Sequence, residues 1–197
     1  MHNGVSGEAV FRHIIRLEKT SSTNDVAKQE ARAGAPEGVV VVADHQTAGR
    51  GRRGRSWVTP PGTALMFSVL LRPPIEPRQA PLLVFLAAAA VREVVADGIG
   101  DLVEANGAAL DESSDRVLIK WPNDVVVDGR KVCGVLVELS ADAGRVQWCV
   151  VGVGVNVNQL PDDFPPELSG QATSMRAGTG RSWDREALLD HILAGMA

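Results

Sequence analysis

Residues 117–139 read V-L-I-K-W-P-N-D-V-V-V-D-G-R-K-V-C-G-V-L-V-E-L. The run Val117–Trp121 is apolar enough for a strand, and Pro122 lacks the N–H that would continue a ladder. Val125–Val127 and Val132–Leu139 are two more strand-like runs. Asp128-Gly129 between them is the composition of a tight hairpin turn. Ala143-Gly144 marks the next turn, and Val146–Val157 the next strand. Such a run of hairpins means an antiparallel sheet. Further upstream, strands and helices alternate. Phe11–Leu17 is a candidate strand. Val26–Ala33 is a helix-forming run preceded by four N-cap types, Ser22, Thr23, Asn24 and Asp25, and stopped by Gly34. Val39–Ala43 and Ala64–Leu71 are buried-strand runs. Gln79–Ala96 is alanine-rich, apolar over most of its surface, and fits a core helix lying on a sheet. Residues 97–116 are polar and acidic, an exposed connection. Residues 158–181 are a long loop, and Asp184 caps a last helix, Arg185–Met196. Together these predict an α+β fold: a mixed, largely antiparallel β-sheet flanked by helices.

At 197 residues and 45% hydrophobic, the chain suits one domain with a sizeable core. Its net charge of −4 argues against a polyanion as partner. Cys133 and Cys149 each lie inside an apolar run and read as buried thiols. His2, His13, His45 and His191 are scattered, with no metal-ligand spacing. The start, M-H-N-G-V-S-G-E, has no basic and apolar leader, and no segment approaches the roughly 20 apolar residues of a membrane helix. A reducing cytoplasm is expected, without membrane or nucleic-acid partners.

Residues 43–57, A-D-H-Q-T-A-G-R-G-R-R-G-R-S-W, interleave Arg50, Arg52, Arg53 and Arg55 with Gly49, Gly51 and Gly54. Glycines let the backbone approach a ligand, and guanidinium groups offer planar donors to phosphate or carboxylate. A small anion, a solvated basic loop and a nucleic-acid contact all fit. The literal G-x-G-x-x-G at 49–54 opens no helix, which argues against a dinucleotide fold, and no P-loop motif exists. Four capping types at 22–25 exceed what one helix needs; the surplus either is redundant or faces a polar ligand. In Lys120-Trp121-Pro122-Asn123-Asp124, Asn123 can read a base or ribose and Asp124 can hold Mg²⁺; a simple Asx turn competes. Lys131 is one of only four lysines, against sixteen arginines, and a salt-bridge role is its ordinary reading. Gly152 and Gly154 share one strand face, from close approach of a ligand or tight sheet packing.

Five stretches occur in order: S-S-T-N-D (21–25), Q-T-A-G-R-G-R-R-G-R-S-W (46–57), K-W-P-N-D (120–124), G-R-K-V-C-G-V-L-V-E (129–138) and G-V-G-V-N-V-N (152–158). Their combination resembles the biotin–protein ligases, the biotin–[acetyl-CoA-carboxylase] ligase family, over about residues 11–195. The resemblance implies a class II synthetase-like biotin/lipoate ligase catalytic fold. It also implies ATP-dependent formation of biotinyl-5′-AMP with release of pyrophosphate, then transfer of biotin to a lysine of a biotin carboxyl carrier domain. By the same resemblance, Ser22, Thr23, Asn24, Gln46, Gly49, Arg50, Gly51, Arg52, Lys131 and Gly134 match biotin-binding positions. Arg52, Arg53, Trp57, Trp121, Asn123, Gly154 and Asn156 fall on the nucleotide side. Lys131, Arg52 and Arg50 would carry the catalysis, with Mg²⁺ accompanying ATP and Asp124 as its candidate ligand. The loop at 47–55 is expected to be mobile alone and to order over biotin. Residues 1–197 would form a catalytic domain with a loose tail at 1–9, lacking both a helix-turn-helix before it and a small β-barrel after it. Members of this family are monomers or sheet-mediated homodimers. A lipoate–protein ligase shares the fold, but the polar triplet at 22–24 suits biotin's ureido ring better than an apolar dithiolane. A non-catalytic binding module is the alternative from a different class.

Overall fold

The computed structural model describes residues 10–11, 13–105 and 116–197. The tail at 1–9 and most of the second half of the 97–116 connection lie outside them. Among the described residues nine strands, β1 to β9, and four α-helices, α1 to α4, follow in chain order: β1 His13–Thr20, α1 Thr23–Arg32, β2 Val39–Gln46, β3 Gly49–Arg50, β4 Ser56–Trp57, β5 Ala64–Leu71, α2 Leu82–Ala105, β6 Val117–Lys120, β7 Asp124–Val127, β8 Arg130–Asp142, β9 Arg145–Asn156, α3 Met175–Thr179 and α4 Arg185–Met196. Seven strands form one sheet in the order β1-β2-β5-β9-β8-β7-β6, and β3 and β4 form a separate two-stranded ribbon. Among the described strands only β1 and β2 pair in parallel, because α1 carries the chain back between them. The other sheet pairs are antiparallel, as the run of hairpins predicts. Asp128 and Gly129 take φ values of 50° and 75°, the left-handed pair that a two-residue hairpin turn requires.

Alternation along the strands sorts side chains to two faces. Val40 and Val42 of β2, Leu65, Phe67 and Val69 of β5, Val135 of β8, and Val151, Val153 and Val155 of β9 meet α2 and α4 in the main core. Both thiols are buried, as read: Cys133 belongs to this core and Cys149 to a small cluster with Ala80 and Val146. Full burial of each large side chain such as Phe67 contributes roughly 1.5–3 kcal/mol. On the opposite face, Ala27 and Ala31 of α1 pack against Val39, Val41, Leu70, Trp148 and Val150. Arg72 fastens the end of α1 there, donating from Nη2 to the carbonyls of Ala31 at 3.0 Å and Ala35 at 2.8 Å.

Several boundaries differ from the sequence reading. The first helix starts at Thr23, not Val26, so Thr23, Asn24 and Asp25 form its first turn. Helix α2 continues through the polar residues 97–105, since helical hydrogen bonding tolerates polar side chains that apolar counting reads as a connection. Trp121 lies outside β6, in the turn that Pro122 imposes. The long loop at 158–181 contains the short helix α3, whose N-cap Ser174 accepts from the N–H of Ala177.

Candidate active site

The face of the sheet under α1 has a gap in its side chains. Gly134 of β8 pairs with Gly154 of β9, and Leu136 pairs with Gly152. Ser68 of β5 pairs with Gly152 on the other side. A Cβ on Gly154 would lie 2.8 Å from the Trp57 indole, one on Gly134 would lie 2.9 Å from Lys131 Nζ, and one on Gly152 would collide with Asn24. The glycines therefore lower the sheet floor so that Trp57 and the first turn of α1 rest on bare backbone.

Ser22 is the N-cap of α1, yet its hydroxyl makes no capping bond. Gln46, at the end of β2, takes over: its Oε1 accepts from the Thr23 N–H at 2.7 Å and from Thr23 Oγ1 at 3.1 Å. The buried Ser68 hydroxyl sits 2.7 Å from Thr23 Oγ1 and 2.6 Å from Asn24 Oδ1. Asn24 Nδ2 donates to Glu138 Oε2 at 2.7 Å. Thr23 and Asn24 thus enter a buried network with Gln46 and Ser68, with capping passed to a neighbouring strand, while Asp25 pairs with Arg50 and Lys28.

Across this network lies the ribbon. Gly51 N–H donates to the Arg55 carbonyl at 2.7 Å, closing a small loop whose corner, Arg53, has a left-handed φ of 57°. Arg50 forks onto Asp25, Nη1 to Oδ2 at 2.7 Å and Nη2 to Oδ1 at 2.8 Å, and Nη2 also reaches Glu138 Oε2 at 3.1 Å. Lys28 Nζ stands 2.9 Å from both Asp25 Oδ1 and Glu138 Oε1. Two cations and two carboxylates therefore balance. The hydrogen bond from Arg50, with help from Lys28, holds the Asp25 carboxyl down at about 2. Burial pushes Glu138 up, but Lys28, Asn24 and Arg50 outweigh it and leave it below the usual range. Asp25 in turn raises Arg50, the fork outweighing the cost of burial. Between ribbon and sheet is a cavity of about 460 Å³, lined by Ala48, Gly49, Arg50, Gly51, Ser56, Leu136 and Glu138 among others.

Beyond Trp57 the floor continues to Lys131, whose Nζ is 5.5 Å from the indole centroid. Lys131 ion-pairs with Asp124 at 2.8 Å, without the alignment of a hydrogen bond. Its backbone is pinned on both sides, donating to the Gln171 carbonyl and accepting from the Thr173 N–H, each at 2.8 Å. Arg52 Nη1 reaches Asn123 Oδ1 at 3.2 Å, and Asn123 Nδ2 donates to the Val135 carbonyl at 3.1 Å. Asn156, buried at the end of β9, donates to the Thr173 carbonyl and accepts from Gln159 Nε2. Two buried acceptors beside it, Gln159 Oε1 and Thr173 Oγ1, have no partner, and neither does the buried indole N–H of Trp57. Arg53 and Trp121 stand apart from this cluster: Arg53 is exposed and Trp121 is 76% exposed.

Comparison with known proteins then decides the kinship. The model of the biotin/lipoate A/B protein ligase family matches residues 17–156. The chain belongs to that family. Among ligase relatives, the bifunctional ligase/repressor BirA of Bacillus subtilis is 41% identical over 190 residues, covering 96% of this chain and 54% of the relative. The biotin–[acetyl-CoA-carboxylase] ligase of Paracoccus denitrificans is 38% identical over 182 residues, covering 92% of this chain and 70% of the relative. The solved biotin protein ligase of Aquifex aeolicus in complex with biotin and ATP superposes with a TM-score of 0.68 at 34% identity, over 94% of this chain and 69% of that one. The chain spans about half the length of the BirA relatives it matches.

Three members of this cluster escaped the sequence reading. Ser68 is the single polar residue inside A-L-M-F-S-V-L-L, a signal in itself. Glu138 shares a strand face with Gly134 and Leu136, so the period of two could have flagged it. Lys28 has a local signal in Asp25 three positions before it, but its second partner, Glu138, is 110 positions away. Among the described residues no group of three or more His, Cys, Asp or Glu side chains could cage a metal ion. A lone carboxylate such as Asp124 suits only an ion carried largely by phosphates.

Proposed function

We propose that this ligase-family chain condenses biotin with ATP to give biotinyl-5′-AMP and pyrophosphate, and then passes the biotinyl group to a lysine of a biotin carboxyl carrier domain. The observation that carries the proposal is the meeting of the polar helix start, the arginine–glycine ribbon and Lys131 over one bare stretch of sheet. Biotin's ureido ring needs donors and acceptors together, which Ser22, Thr23, Asn24 and Gln46 supply. Its valeryl chain would run beside Trp57 along the edge of the glycine floor, bringing the carboxylate toward Lys131 and Arg52.

In the first step a carboxylate oxygen attacks the α-phosphorus and pyrophosphate leaves, so two negatively charged groups must come together. Arg52 and Lys131 lower that repulsion and stabilise the charge spreading in the transition state. Lys131 is held by its pinned backbone, which favours positioning over flexibility. Asn123 and Asn156 are the candidate nucleotide contacts, with Arg53 and Trp121 reachable only by rearrangement. Mg²⁺ would supply charge neutralisation on the phosphates, with Asp124 as its one protein carboxylate. In the second step the acceptor amine attacks the carbonyl of the mixed anhydride and AMP leaves. No protein nucleophile is needed, and a closed ribbon protects the anhydride from water. The test is the mass of a purified carrier domain after incubation with the chain, biotin and Mg-ATP. One biotinyl addition at a lysine is expected, and no addition would refute the transfer step.

A further inference from the structure

We infer that Glu138 is a positioning residue that couples the closure of the arginine–glycine ribbon to the orientation of the biotin-side amide, Asn24. The inference rests on the proposed biotin reading for its substrate, but its geometry stands by itself.

Glu138 projects from β8 into the junction of three elements. Its Oε1 takes Lys28 from the second turn of α1, and its Oε2 takes both Asn24 Nδ2 at 2.7 Å and Arg50 Nη2 at 3.1 Å. A carboxylate can only accept, so it dictates which end of the Asn24 amide faces it. The amide oxygen must then turn to Ser68, where it accepts at 2.6 Å. The Asn24 amide is therefore fixed end for end over Gly152. The same oxygen atom that orients Asn24 also holds the ribbon through Arg50. Releasing the ribbon thus removes one of the two donors on that oxygen, and losing Asn24's alignment weakens the site that Arg50 clamps. Asp25 adds a second hold on Arg50 and pairs with Lys28, but among the described residues Glu138 is the side chain that takes both Arg50 and Asn24.

Glu138→Gln keeps the size and removes the logic. Its amide oxygen can keep Asn24 and Arg50 only if its NH₂ faces the Lys28 ammonium, donor against donor, and in either orientation the charge that holds Arg50 is gone. The expected result is faster hydrogen exchange across 47–57 in the protein without added ligand. With it comes a rise in the KM for biotin of about ten-fold, with kcat changed by less than about three-fold. In the double variant with Arg50→Ala the two losses should not multiply, because both break one link. An unchanged exchange rate and KM, or an equal fall in kcat with a lowered melting temperature and no KM change, overturns the inference. Should Glu138→Gln fail to fold, Arg50→Gln breaks the link from the exposed ribbon. It must then speed exchange at residues 22–25, and unchanged protection there overturns the inference equally. If the wild-type chain shows no biotin-dependent reaction, the substrate reading fails, while hydrogen exchange without ligand still decides the coupling.

Discussion

Single residues at this site act through what they leave open as much as through what they touch. Gly152→Ala would drive its Cβ into Asn24. The neighbour on that side is a buried amide held from two directions, so it cannot yield freely. The expected cost is about 1–3 kcal/mol of stability and a loss of biotin binding larger than that of Gly178→Ala, where a Cβ meets only Val127 at 3.9 Å. Equal binding by the two variants would contradict the account. Arg52→Ala should speed the loss of bound adenylate while leaving the melting temperature within a few degrees, because an exposed guanidinium on the ribbon supports little core; a large fall in melting temperature would count against it. Asp25 sets a pH dependence. Its folded value of about 2 lies below the ordinary 3.8. The stabilisation from its pairing is therefore complete above about pH 4 and lost as pH falls toward 2. The melting-temperature gap between wild type and Asp25→Asn should stay constant from about pH 7 to 5 and shrink below about pH 4; a gap that persists at pH 2 would contradict the pairing. Much of this scale was legible beforehand. The polar triplet, Gln46, Arg50, Arg52 and Lys131 all gather on one sheet face. The pairing of Glu138 with Lys28 was not, since an ion pair between positions 110 apart has no local signature.

At the level of elements, the ribbon is the least supported part of the site. Strands β3 and β4 contribute two residues each and pair only with one another. Two backbone bonds at its base, Thr47 N–H to the Thr20 carbonyl and Ala48 N–H to the Ser21 carbonyl, together with the Arg50 clamp, the Arg52–Asn123 bond and the packing of Trp57 on the glycines, hold it to the body. Such a segment opens at far lower free energy than the sheet. Residues 47–55 should exchange amide hydrogens quickly without biotin and become protected when it is added; equal protection in both samples would remove the lid role. The sequence marked this stretch as glycine-rich and charged, but its ribbon form depends on the Gly51–Arg55 closure, which no propensity predicts. Helix α1 shows the converse. Its existence was plain, yet its start was misplaced by three residues: four candidate caps stood in a row, and Gln46, 23 positions away, supplies the bond that lets the helix begin at Thr23.

For the whole molecule, the sheet separates stability from chemistry. Phe67 faces α2 and α4, while its neighbour Ser68 faces the site. Phe67→Ala should therefore cost about 3–5 kcal/mol and leave the KM for biotin within about two-fold at temperatures where the protein stays folded; a KM shift far beyond that would mean the two faces are mechanically linked. The α+β class followed from periodicity and turn chemistry alone, since hairpins and a core helix write their pattern locally. The sheet order did not, because β9 lies between β5 and β8 by long-range pairing. No helix among the described residues is long and apolar enough to cross a membrane. What most directly tests the central claim, that this site activates biotin, is ATP–pyrophosphate exchange by the purified chain. The account predicts exchange that depends on biotin, that lipoate does not support, and that Lys131→Ala lowers by at least about a hundred-fold. Absence of exchange with biotin, or equal exchange with lipoate, would contradict it.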